Sequence, residues 1–219
     1  LAATDKHFRP TDPQIGPDGA LWFGDWSNPL IGHMQYSQRD PNRDHVHGRI
    51  YRLVYKHNPL LTPVTQQGKS IPELLAQLDS PEPRVRSRAR IEIHQRPQPE
   101  VLAALTDWLP SVSDDRLLVE ALWIQQSYHA VDLSLAARAL RLPTGEARAA
   151  AVRVLADETV FGQLPPLRMS ELISASVTDE HPRVRLEALR ALSFVPSLDA
   201  IELAWKATSL PVDYWISYT

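Results

Sequence analysis

The stretch GHMQYSQRDPNRDHVHGRIYRLVYK, residues 32–56, gathers imidazoles, carboxylates and guanidiniums into one polar run. His45 and His47 stand two apart, so on an extended segment both rings point the same way and can share a metal ion. His33, Asp40 and Asp44 can add ligands, and imidazole with carboxylate suits zinc, iron or copper. The spacing matches no specific metal signature, which leaves His45 and His47 as the metal candidates. A second reading makes His33, Arg39, Asp40, Arg43, Asp44, His45 and His47 a loop that faces a cofactor or substrate, since long connections between strands often carry function. A third has Asp40, Asp44, Arg39, Arg43 and Arg49 tie the connection to its scaffold through charge-assisted hydrogen bonds. Of the three, the structural role is preferred. Asp12 and Asp25 are read as turn caps, and Glu92 with His94 as helix surface. No GxSxG, HExxH or phosphate-cradling glycine loop is present, and no residue is assigned a catalytic role.

Around this run the chain has two textures. Residues 1–57 alternate short apolar runs with Gly, Pro, Asp and Asn, a β pattern. In IGPDGALWFGDW, a strand ends at Ile15, Pro17-Asp18-Gly19 turns, and a second strand covers Ala20–Asp25. GRIYRLVYK, 48–56, is a third strand, with Ile50, Arg52 and Val54 on one face and Arg49, Tyr51, Leu53 and Tyr55 on the other. Residues 58–69 read as a linker. From 70 onward the period is helical: Ser70 is a plausible N-cap, Pro72 fits the first turn, and Leu74, Leu75 and Leu78 share a face.

The 219 residues suffice for a sizeable core, and 43% hydrophobic against 22% charged residues indicates a folded chain. A net charge of −3 argues against nucleic acid as a partner, although 19 of the 23 basic residues are Arg. No apolar run is long enough to span a bilayer. The absence of cysteine removes disulfides, thiolate zinc sites and thioether haem attachment from this stretch.

The helical part repeats. PRVRSRAR (83–90) and PRVRLEAL (182–189) share Pro-Arg-Val-Arg-x-x-Ala, GEARAAAV (145–152) keeps a weaker form, and DRLLVEAL (115–122) keeps only the apolar-to-Ala spacing. The alanines Ala89, Ala121, Ala151 and Ala188 recur about one helical hairpin apart, as expected for stacked units. Val85 and Val184 lie one turn earlier on the same face. The pattern resembles HEAT repeats, and the resemblance implies an α-solenoid of helical hairpins over 70–219. Val85, Arg86, Ala89, Arg148, Ala151, Val184, Arg185 and Ala188 then hold structural repeat positions. The family's ladder, an Asp in the turn paired with an Arg of a neighbouring unit, is expected at Asp179. Ser80 and Leu142 occupy the corresponding places in the first unit and in the GEARAAAV unit, which depart from the family's pattern there. PELLAQL and MSELISASV are the expected first helices of two hairpins, and SLPVDYWISYT reads as the start of another helix.

FRPTDPQIGPDGALWFGDW followed by GRIYRLVYK resembles the last blade of a β-propeller of the sorbosone/glucose dehydrogenase type. With IGHMQ, RDPNRDH and the repeats behind it, the whole resembles the planctomycete-type membrane-bound dehydrogenases, which join a propeller, HEAT repeats and a cytochrome c module. The resemblance implies that this chain is an interior fragment, a scaffold segment rather than a catalyst, whose partners are other domains of the same protein or another protein. It places a quinone (PQQ) and haem c in the parent protein and none in this chain, and implies a periplasmic or cell-envelope location. The alternative it leaves open is part of a quinone-dependent sugar or alcohol dehydrogenase, with residues 28–49 lining the propeller site.

Overall fold

A computed structural model describes residues 3–28, 40–42 and 44–218, which fall into two compact units that divide between Thr65 and Gln66. The first holds a three-stranded antiparallel sheet, β1 Pro10–Ile15, β2 Leu21–Asp25 and β3 Arg49–Leu53, in that order. The β1–β2 turn follows from its residues. Gly19 takes φ +79°, a value that a Cβ resists, and the Gly16 amide donates to the Ala20 carbonyl at 2.8 Å. Asp18 Oδ1 accepts from the Ala20 amide at 3.1 Å and from Trp22 Nε1 at 3.2 Å. The pairs Phe23–Tyr51 and Asp25–Arg49 share one face of the sheet, and Trp22–Arg52 and Gly24–Ile50 share the other. On the first face Phe23 stacks on Tyr51 at 5.3 Å, and Phe8 meets both edge-on at 6.1 and 5.8 Å. On the second, the Arg52 guanidinium lies 5.4 Å over the Trp22 ring and Ile50 is 79% exposed. The strand expected over 48–56 pairs only from Arg49 to Leu53, because β2 offers no further residues to ladder against.

The second unit is helical. Among the described residues it contains nine α-helices: α1 Ile71–Gln77, α2 Pro83–His94, α3 Gln98–Trp108, α4 Asp115–Ser127, α5 Leu133–Ala139, α6 Gly145–Val160, α7 Pro166–Ile173, α8 Pro182–Leu192 and α9 Leu198–Lys206. Their starts are chemically marked. Ser70 and Glu73 form a reciprocal capping box on α1, the side chains of Asp114, Asp132 and Ser197 cap α4, α5 and α9, and Pro83, Pro166 and Pro182 open α2, α7 and α8. The longest helix, α6, stops at Gly162, whose φ of +75° lets the Gly162 and Gln163 amides turn back onto the Thr159 and Glu158 carbonyls.

The core lies where these helices meet. Helices α2, α4, α6 and α8 pack each against the next, and Ala89, Ala121, Ala151 and Ala188 at those crossings are fully buried. A methyl side chain there permits close approach, while Leu74, Leu78, Leu122, Leu155, Met169 and Ile173 fill the space on either side. Two expected helices come out shorter. The helix expected over MSELISASV tightens at Ser174–Thr178 into a 3-10 segment, where Ser-rich sequence supports the α conformation less well. SLPVDYWISYT yields only a 3-10 turn at Ile216–Tyr218, started by Asp213 accepting the Ile216 amide at 2.8 Å. No helix among the described residues is long and apolar enough to cross a membrane.

Candidate functional site

Of the polar run, Asp40, Asp44, His45 and His47 are described, whereas His33, Arg39 and Arg43 lie outside the described residues. Asp40 Oδ1 accepts the Asn42 amide at 2.7 Å. Asp44 Oδ1 accepts the amides of Val46 and His47 at 2.9 and 3.0 Å, and Asp44 Oδ2 lies 2.9 Å from His47 Nδ1. The two amides and then the imidazole hold the Asp44 carboxyl at a pKa of about 2. Asp44 thus caps the turn that runs to His47. Among the described residues, no group of three or more His, Asp or Glu side chains is arranged around a common point.

Arg49 at the end of the run is a structural hub. Its guanidinium donates to Asp5 Oδ2 at 2.5 Å, Tyr51 Oη at 3.5 Å and Ser27 Oγ at 3.1 Å, and lies 3.5 Å from Asp25 Oδ2. Asp25 itself is 3% exposed, and its Oδ1 accepts the Arg9 and Ser27 amides at 2.7 and 2.9 Å. Its chemistry is that of a cap holding the chain on both sides of β2.

In the helical unit the repeat arginines share one geometry. Arg86, Arg148 and Arg185 each donate through one terminal nitrogen to the carbonyls six and five residues earlier: Ser80 and Pro81, Leu142 and Pro143, Asp179 and Glu180. Each thus binds the turn that leads into its own helix. Arg148 goes further, with Nε and the other terminal nitrogen both 2.8 Å from the Asp179 carboxylate. Burial raises the Asp179 pKa, but Arg148 and the His181 amide outweigh it, and the carboxyl titrates below its ordinary value. The side-chain rung thus runs from Arg148 to the next turn. At Ser80 and Leu142 only backbone carbonyls accept, and Asp79 instead pairs with Arg116 at 3.0 Å.

A second set of pairs crosses between helices. Glu120 on α4, Glu158 on α6 and Glu187 on α8 are at most 3% exposed, and each meets a base from the preceding helix of the row or its end. Arg90 grips Glu120 at 2.6 and 2.5 Å, His129 Nδ1 lies 3.3 Å from Glu158, and Arg153 reaches Glu187 at 2.8 Å. Arg183 also contacts Glu187 at 2.8 Å, and Arg190 at 3.5 Å, the latter shared with Asp157 at 3.1 Å.

Above these pairs the surface of α4, α6 and α8 dips into two adjoining recesses of about 390 and 370 Å³. They share Trp123, Glu146 and Ala150; Arg153, Arg183 and Glu187 line one, while Val119 and Ala147 line the other. Trp123 is 41% exposed. Repeat reasoning passed over this face, though one signal was available: Glu120-Ala121-Leu122 and Glu187-Ala188-Leu189 are the same tripeptide at the same place in two units.

Residues 1–57 match the model of a family described as a domain of unknown function (DUF7133). No curated protein and no solved structure matches the chain.

Proposed function

We propose that the helical unit is a HEAT-type repeat stack that works as an interaction segment, without chemistry of its own, of a larger propeller dehydrogenase-like protein. The observation that carries this reading is the recurrence of one arginine clamp at Arg86, Arg148 and Arg185, each three residues before a fully buried alanine. Units that repeat a local geometry and bury their faces on one another leave an extended surface for partners. Here that surface is the one formed by α4, α6 and α8, with Trp123 exposed at its centre. The sheet of β1, β2 and β3, with its Gly-Pro-Asp-Gly turn, is in this reading a piece of a propeller blade. In this reading haem c and the quinone belong to other modules of the parent protein; without cysteine, this chain offers no thioether attachment for haem. The partner is another domain of the parent protein or a separate protein.

A photoreactive benzophenone residue replacing Trp123 tests this in the source cell, with the same residue replacing Leu167 on the exposed side of α7 as control. A cross-linked adduct from position 123 and none from 167 is expected. Equal adducts at both, or none at 123, would overturn the reading.

A further inference from the structure

We infer that Asp213–Tyr218 opens a fifth helix of the α2, α4, α6 and α8 row, and that the apolar recess between α8 and α9 is the groove in which that helix lies. The inference rests on the repeat-stack reading and names what covers this face. The occupant is an apolar helix of the stack itself, with a small residue four places after Ile216, and not a second copy of the chain.

The register of the row carries the inference. Its helices start after Glu82, Asp114, Thr144 and His181, and the third residue of each, Val85, Leu117, Ala147 and Val184, is buried. Four places further stand the seam alanines Ala89, Ala121, Ala151 and Ala188. Asp213 repeats this start. Its Oδ1 accepts the Ile216 amide at 2.8 Å, as Asp114 Oδ1 accepts that of Leu117, and Ile216 is buried. The Ser217 amide donates to the Asp213 carbonyl at 3.1 Å, the same helical bond with which Leu118 and Asp114 begin α4. The arginine clamp reaches onward in the same way. Arg148 binds Asp179, two residues before the cap His181. Arg185 donates through its other terminal nitrogen to the Pro211 carbonyl at 2.8 Å, two residues before Asp213.

The same comparison exposes the groove. Helix α9 begins 32 residues after α7, and Ile216 follows Val184 by 32. Met169 and Ile173 on α7 are fully buried, whereas Ile201 and Trp205, at the same places on α9, are 64% and 74% exposed. Leu189 on α8 is half-buried, while its counterpart on α6, Val152, is fully buried. Leu189, Ile201, Trp205, Val212 and Ile216 line one recess of about 380 Å³, and no charged side chain among the described residues lines it. One unit earlier the corresponding place belongs to α8, which packs against α6, α7 and the Ser174–Thr178 segment. An uncharged groove favours the apolar face of a helix, because a charged segment would lose its water there without gaining a partner. Ile216 and Ser217 of the opening turn already form part of its wall, so the helix that fits is the one they start.

The chain has no cysteine, so Ile201→Cys supplies a single thiol whose modification by a maleimide reads coverage of the groove. Three forms are compared: the chain itself, the chain extended after Thr219 by a copy of Ala188–Val195, and the same extension shifted by one inserted glutamine. The unshifted copy places its first alanine four residues after Ile216, and the insertion turns the added helix by about 100°. The matched extension is expected to slow modification by about tenfold or more and to raise the melting temperature, and the shifted one to do neither. Hydrogen exchange of the Leu198–Lys206 amides gives the same comparison without the substitution. Equal rates in all three forms, or equal slowing by both extensions, would overturn the inference. So would slowing in the unextended chain as its concentration rises, which would assign the face to a second copy. Cross-links at position 123 combined with no coverage by the matched extension would sink the fifth helix and leave the interaction segment standing.

Discussion

Arg148 shows how much one side chain can hold when four of its five donors are used. Two terminal bonds go to the Leu142 and Pro143 carbonyls at 2.9 Å each and two more go to Asp179, and the pair is only 12% and 14% exposed. Removing one partner from such a pair leaves a charge and two carbonyls poorly solvated. Arg148→Ala is therefore expected to cost about 2–4 kcal/mol in urea unfolding, with Arg148→Lys recovering less than half because a point charge cannot serve the carboxylate and the turn together. A loss no larger than that of an exposed pair would refute the clamp. Acid should reveal the same contact. Since the folded pKa of Asp179 is depressed, its contribution is complete above the unfolded value of 3.8 and disappears as pH falls through the lower folded value. Glu73, held at about 2 first by Lys69 and then by Ser70, adds a loss of the same sign between its ordinary 4.5 and that value. Asp179→Asn should thus melt well below the parent at neutral pH, and the gap should close as pH drops below about 4. A gap that stays constant into the acid range would show that Asp179 does not titrate as the pair requires. The repeat arginines could be read from PRVR and GEAR because their turns lie a fixed distance away in sequence. Glu120 and Glu187 were harder to see, since their partners Arg90 and Arg153 come from a neighbouring helix at a separation no local pattern fixes.

Between residues and molecule, the element that organises the helical unit is the row α2, α4, α6 and α8. Its seam was legible as the alanines Ala89, Ala121, Ala151 and Ala188, because a crossing that excludes everything larger than a methyl leaves a small residue at a recurring place. Helix starts were legible too, at Ser70, Pro83 and Pro182, where capping chemistry is local. Helix ends were less so. MSELISASV carries apolar spacing past Ile173, yet the α conformation gives way to a 3-10 segment there, where Ser-rich sequence supports the α conformation less well than its apolar spacing suggests. In the sheet, turn chemistry at Gly19 was visible, while the true length of β3 depended on what β2 could pair with. In the polar run the Asp44 carboxylate caps the Val46 and His47 amides, a local contact that side-chain periodicity does not encode. The seam makes a direct prediction. Ala89→Leu and Ala188→Leu should each destabilise by about 1–3 kcal/mol through overpacking, measured as a fall in melting temperature. If both variants melt with the parent, the helices do not cross where the alanines lie.

At the scale of the whole molecule, the two units draw on very different amounts of burial. Among the described residues of the first, the side chains held below a tenth of their exposure are few, Ala20 and Phe23 with the polar Asp25, Ser27 and Asn28. The second buries a continuous core from Leu74 to Ala200 that involves every helix of the α2, α4, α6 and α8 row. Apolar burial contributes about 25 cal/mol per Å², and a three-stranded sheet with exposed Ile50, Val54 and Trp26 gathers little of it. The sheet is held instead by the Arg49 hub and the Phe8, Phe23 and Tyr51 rings, contacts that order it without much desolvation. Cooperative opening should therefore be cheaper in the first unit than in the second. Native-state hydrogen exchange on the intact chain can separate them: the paired amides of β2 and β3 are expected to exchange through openings of lower free energy than those of α6 and α8, and to do so with a smaller denaturant dependence. Protection of the Arg49–Leu53 strand equal to that of the Pro182–Leu192 helix would mean that the sheet is stabilised by contacts that its own residues do not provide.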